Sequence, residues 1–282
     1  MVIILKLTTW LLPAALTFLL VGCNAETTEV QKELGEKNEV NKETVETKPE
    51  ETEKVEEIKP IEEVIEEEPV SEIKYEINEA NWTIKPITDA NPKAVLLTID
   101  DAPDKYAVEM AKTLKELDAP AIFFVNGHFI DSEEEQANLK EIYDLGFSIG
   151  NHTQTHANLK NSSEEQQQEE IIKVNETVEA VIGEKPKFFR APFGVNTDFS
   201  KSLVHQEGMV LMNWTYGYDW EKQYMEANSL ADIMVNTEYL VDGANLLMHD
   251  REWTAAALSK IVEGLRAKGY DLIDPKTIKT IE

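Results

Sequence analysis

From residue 93 onward, apolar and polar positions fall into regular alternating blocks. Seven short, mostly apolar runs have the length of strands: 93–100, 121–125, 147–151, 187–190, 209–214, 244–248 and 270–273. Between them lie segments with helical spacing. In 105–118, Ala107, Met110, Ala111, Leu114 and Leu117 share one face. Ser132 with Glu135 three residues on predicts a capped helix ending at Gly146. Ser162 with Glu165 predicts a longer one through Ile171, Val174, Val178 and Ile182, stopped by Gly183. Further helices are expected near 197–207, over 229–241 and over 254–268. Strands apolar on both faces, each followed by a helix, imply parallel strands with helical crossovers. An open doubly wound sheet and a barrel both fit this pattern. A dinucleotide fold lacks support, because no Gly-x-Gly-x-x-Gly follows a strand.

The first 80 residues of the 282 read differently. Residues 1–22 hold one charge, Lys6, then an apolar run that is short for a spanning helix, as in a signal peptide. The run ends Leu20-Val21-Gly22-Cys23, which resembles a bacterial lipobox, and Cys23 is the only cysteine. That resemblance implies lipidation at Cys23, removal of 1–22, and an extracytoplasmic chain anchored in the membrane. Residues 24–80 carry 20 Glu and 7 Lys, with Pro49, Pro60 and Pro69 spaced along them and Tyr75 as the one aromatic. Such a stretch buries too little apolar surface to offset chain entropy and reads as an extended acidic tether over 23–80. The folded domain is then expected over 81–282. A net charge of −27 without a basic stripe argues against nucleic acid as a partner, and one cysteine excludes a disulfide scaffold.

Chemistry-bearing residues gather at the ends of the strands. Asp100 and Asp101 end the first, His152 and His156 follow the third, and Arg190 ends the fourth. Asp219 and Trp220 follow the fifth, and His249 and Asp250 end the sixth. Parallel α/β sheets and barrels place catalytic groups at that end. Each group alone has a plainer reading, as a helix cap, a surface polar residue or a salt bridge. Together, two His and one Asp make a three-ligand metal site with an open position. A metal there acidifies water, a second carboxylate can take its proton, and a separate His can protonate a leaving group. That set suits hydrolysis of an amide or ester. His128 and His205 read as structural, and Met209 and Met212 as core.

The segments Thr98-Ile-Asp-Asp101, His152-Thr-Gln-Thr-His156, Arg190-Ala-Pro-Phe-Gly194, Tyr218-Asp-Trp220 and Leu247-Met-His249 resemble, in order, the five motifs of the polysaccharide deacetylases. This is the NodB-homology group, carbohydrate esterase family 4, and the likeness covers about residues 93–275. It implies a distorted (β/α) barrel of about seven parallel strands, preceded here by a disordered acidic linker. It also implies one divalent metal ion, zinc or else cobalt or another ion, on Asp101, His152 and His156. Asp100 resembles the general base, Arg190 the residue orienting it, His249 the general acid and Asp219 its partner. Pro192 and Phe193 fall among the substrate contacts, with the Phe193 N–H as oxyanion donor and Trp220 and Leu247 as walls of the acetyl pocket. Four positions depart from the family pattern: Ile99 for Phe, Ala102 for Gly, Phe193 for Tyr and Tyr216 for Asp. The expectation is a monomeric, membrane-tethered deacetylase of N-acetylglucosamine in a cell-wall glycan, peptidoglycan first. Chitin oligomers, N-acetylmuramic units and acetylated xylan are the rival substrates. A non-catalytic glycan-binding lipoprotein is the rival of another class.

Overall fold

The computed structural model describes residues 72–281. The expected signal segment, Cys23 and nearly all of the acidic stretch lie outside the described residues. The chain runs β1 (Tyr75–Ile77), β2 (Ile84–Pro86), β3 (Ala94–Ala102), α1 (Ala107–Glu116), β4 (Ala121–Val125), α2 (Glu133–Asp144) and β5 (Ser148–Asn151). It continues through α3 (Glu164–Ile182), β6 (Phe188–Phe189), α4 (Asp198–Gln206), β7 (Val210–Leu211), α5 (Ala227–Asn236), β8 (Asn245–His249), α6 (Glu252–Ala267) and β9 (Asp271–Leu272).

All seven strands expected from the pattern form, and every pairing among them is parallel, in the order β7-β6-β5-β4-β3-β8 with β9 beside the start of β3. The chain leaving β7 then crosses to the other edge. Tyr216 makes a parallel bridge to Leu246, the Leu247 N–H donates to the Tyr216 carbonyl at 2.8 Å, and the Thr215 N–H donates to that of Asn245 at 2.8 Å. Two to three residues thus join the sheet's edges into a distorted barrel.

Strand alternation decides what each face meets. On β3, Val95, Leu97 and Ile99 pack outward with Phe123 of β4 and with Met110, Leu114, Leu258 and Ile261 of the helices. Ala94 and Leu96 pack in a second cluster with Ile122, Phe124, Phe188 and Met212. By the same period Thr98 and Asp100 continue that inner face, and both are buried.

Three details differ from the sequence reading. The folded part begins before residue 81: β1 pairs antiparallel with β2, and Tyr75 is 8% exposed among Ile84, Ile273 and Ile278. An acidic composition averaged over 57 residues hid this short apolar end. The third helix is capped one residue later than expected, by Ser163 with Gln166 in a reciprocal capping box, because Gln closes the box as well as Glu. The fifth starts at Ala227 and stops at Asn236, earlier than the apolar run to Val241 suggests.

Candidate metal and active site

The two adjacent aspartates pose a geometric problem. On a regular strand their side chains would face opposite ways. A turn at Ala102-Pro103 is the sequence-based way out, but β3 runs through Ala102. The pleat is broken one residue earlier. The pairing of β3 with β4 shifts register between Ile99 and Ala102, and Asp101 has φ 60°, in the left-handed region. Both carboxylates therefore reach the same end of the barrel.

Asp101 Oδ1 lies 3.5 Å from His156 Nε2 and 3.9 Å from His152 Nε2. Asp101, His152 and His156 are the one group of three among the described residues whose ligand atoms all fall within 4.8 Å of one another. His152 sits at the end of β5 and is buried. Its Nδ1 lies 2.7 Å from the Arg190 carbonyl, an acceptor only, so Nδ1 carries the proton and Nε2 keeps its lone pair toward Asp101. Burial lowers the His152 pKa against the pull of Asp100 and Asp101, which favours the neutral imidazole a metal needs. His156 is placed by a loop in which Thr153 (φ 70°) and His156 (φ 58°) are both left-handed. For Asp101, burial works upward, but His249, His152, His156 and Arg251 outweigh it and hold the carboxyl below its usual range. Imidazole and carboxylate donors in this spacing fit a divalent cation.

Asp100 turns one oxygen to this cluster, with Oδ2 3.6 Å from His152 Nε2. The other accepts from Arg190 Nη1 at 2.6 Å. Arg190 is wholly buried, and burial lowers its pKa against the attraction of Asp100. Its guanidinium also donates to Thr98 Oγ1 (2.8 Å), the Asn213 carbonyl (3.0 Å) and Asn245 Oδ1 (3.2 Å), and lies 4.3 Å from the centre of the Phe124 ring. That ring needs a glycine on the neighbouring strand, since a Cβ on Gly150 would stand 2.4 Å from Phe124 Cδ1.

His249 ends β8. Its Nδ1 lies 2.7 Å from Asp219 Oδ1, and its backbone N–H donates to Asp219 Oδ2 at 2.6 Å. Asp219 also accepts from Thr254 Oγ1 at 2.8 Å, and its own carbonyl accepts from Trp253 Nε1 at 2.7 Å. Burial alone would lower the His249 pKa, but Asp219, by charge and by hydrogen bond, together with Asp100 and Asp101, raises it. Trp220 is exposed and meets the His249 ring edge-to-face at 5.5 Å. Leu247 and Pro192 are buried. Phe193 is 62% exposed, has φ 59°, and its ring meets His156 edge-to-face at 4.9 Å. Four non-glycine residues with left-handed backbone thus surround the site, where strain of about 1–3 kcal/mol each is commonly stored.

The structure gathers the expected residues and adds others. Thr98, Asn213 and Asn245 hold Arg190, and Thr98 was open to discovery as the position two before Asp100 on one strand face. Arg251, whose Nη2 donates to Asp101 Oδ2 at 2.7 Å, had no sequence signal beyond standing two residues after His249. Asp250 turns away from the site and caps α1, accepting from the N–H groups of Lys105, Tyr106 and Ala107. Tyr216 is core, its hydroxyl donating to the Met234 carbonyl at 2.7 Å. His128 leans on the Gln154 carbonyl, away from this cluster.

A polysaccharide deacetylase family model matches residues 87–212. A peptidoglycan-N-acetylglucosamine deacetylase from Bacillus cereus is 31% identical over 195 residues, which is 64% of this chain and 68% of that one. Among solved structures, a deacetylase with its substrate superposes with a TM-score of 0.61 at 26% identity, over 68% of this chain and 96% of that one. A carbohydrate esterase family 4 pseudoenzyme from Bacillus anthracis gives 0.60 at 28% identity over 67% of each chain. The chain thus spans about two thirds of the length of the curated relative it matches.

Proposed function

We propose, since the chain belongs to the polysaccharide deacetylase family, that it hydrolyses acetyl groups from N-acetylglucosamine units of a cell-wall glycan, with peptidoglycan as the substrate. The observation that carries this reading is the convergence at one barrel end of three parts. These are the Asp101–His152–His156 cluster, the Asp100–Arg190 pair and the His249–Asp219 pair. A divalent cation on Asp101, His152 and His156 supplies Lewis acidity toward water and the acetyl carbonyl. Asp100 takes the proton from the attacking water, with Arg190 holding its far oxygen so that Oδ2 stays turned to the cluster. The Phe193 N–H donates to the oxygen that becomes negative. His249, protonated on both ring nitrogens, gives its Nε2 proton to the departing amine, and Asp219, accepting from Nδ1, stabilises that imidazolium. Trp220 and Leu247 flank the acetyl methyl.

Cys23 is the lipid attachment point in this reading, and the acidic stretch lets the domain reach the wall from the membrane. The likeness to a named peptidoglycan deacetylase supports the substrate class. The test is acetate release by the full-length protein from peptidoglycan, chitin oligomers and acetylated xylan, with and without chelator. Chelator-sensitive release, fastest from peptidoglycan, is expected. Faster release from chitin oligomers or xylan would reassign the substrate, and metal binding without any release would leave a glycan-binding protein.

A further inference from the structure

We propose that Arg251 is a positioning residue for the metal-binding carboxylate, a role that rests on the metal-dependent reading above. Asp101 divides its two oxygens. Oδ1 faces His156 and His152, whereas Oδ2 accepts from Arg251 Nη2 at 2.7 Å. The terminal torsion of an aspartate is soft and roughly two-fold, so nothing within the side chain keeps Oδ1 turned to the imidazoles. The backbone does not help, because Asp101 leaves the pleat with φ 60° at the register shift. Arg251 supplies the constraint from outside. Its own guanidinium is steadied by donation from Nη1 to the Asp250 carbonyl at 3.1 Å. Asp250 in turn is fixed by three N–H groups at the start of α1. A chain of contacts therefore runs from the first turn of α1 to the ligand oxygen. With Oδ2 committed to Arg251, Asp101 would offer a cation held with His152 and His156 one oxygen, Oδ1.

A guanidinium close to a cation site also repels the cation, so hydrogen bond and charge pull in opposite directions. The Arg251 side chain is 37% exposed, and solvent screens its charge more than its hydrogen bond. The hydrogen bond is the larger effect in this proposal, and two substitutions separate it from the charge. The metal-free full-length protein is titrated with Zn²⁺ by calorimetry, alongside Arg251→Ala, Arg251→Gln and His152→Ala. Arg251→Ala loses donor and charge and is expected to bind about 10–100-fold more weakly, the usual loss when an outer partner of a ligand is removed. Arg251→Gln keeps an N–H donor without the charge and is expected to bind at least as tightly as the wild type. Equal or tighter binding by Arg251→Ala overturns the proposal. So does an Arg251→Gln as weak as Arg251→Ala, since the charge would then be what matters. His152→Ala keeps the two failures apart. If it binds zinc like the wild type, the metal site itself is misassigned. If it loses zinc while Arg251→Ala does not, the role of Arg251 alone falls.

Discussion

At the scale of single residues, two carboxylates one position apart are separated by backbone conformation into different duties. Asp100 keeps the strand's inner face and its contact with Arg190, and Asp101 leaves the pleat to join the histidines. Asp100→Asn should therefore bind zinc normally and lose roughly 10²–10⁴-fold in kcat, the usual worth of a general base. Asp101→Asn should weaken zinc binding first, with rate partly restored by excess zinc. Parallel zinc titration and acetate assays check both, and the reverse pattern would exchange the roles. Asp219 sets the behaviour of His249. The raised His249 pKa keeps its proton to higher pH, so activity that needs the protonated acid is present below that pKa and lost as pH rises through it. Asp219→Asn removes the largest upward influence, so the alkaline limb of the rate profile should move to lower pH. A limb that stays in place would mean another group controls it.

At the scale of elements, the pattern of apolar runs and breakers was enough to place seven strands and six helices, because burial on both faces leaves a plain signal in composition. The candidate site residues drew notice for the same reason, since most stand at or within a few positions of the end of an apolar run. What was not legible is what joins them. The left-handed turn at Asp101 leaves no mark in composition, and the reach of Arg251 and the cradle around Arg190 join residues 23 to 150 positions apart, with one glycine, Gly150, leaving room for Phe124. The β1–β2 hairpin was missed because three-residue strands carry almost no periodicity. It has a practical result. Tyr75 and Ile84 lie in the inner apolar cluster with Ile273 and Ile278. A chain started at residue 81 loses Tyr75 and half the hairpin, whereas one started at 72 keeps both. The shorter form should melt several degrees lower, since each kcal/mol is worth roughly 2–4 °C in a domain of this size. Thermal melts of the two forms decide it.

At the scale of the whole molecule, the proposed catalytic residues and the proposed lipid attachment point at Cys23 occupy separate stretches of sequence, so they should fail independently. Cys23→Ser should release the protein from the membrane fraction, or leave its leader uncleaved, without changing acetate release from soluble oligomers. Retention in the membrane with a cleaved leader would remove the lipid anchor from the account. The Asp100–Arg190 pair behaves in the opposite way, because it belongs to both chemistry and architecture. Arg190 is a fully buried cation held inside the closing seam of the barrel, and Asp100 is the anion beside it. Removing one partner of a buried pair commonly costs about 3–5 kcal/mol. Asp100→Ala should thus be lost from cells as misfolded protein, whereas His249→Ala, on the rim, should accumulate and be merely inactive. A screen of alanine substitutions that selects for dead but abundant protein would recover 249 and pass over 100. By the same logic, a lineage drifting away from catalysis could surrender its acid long before its base.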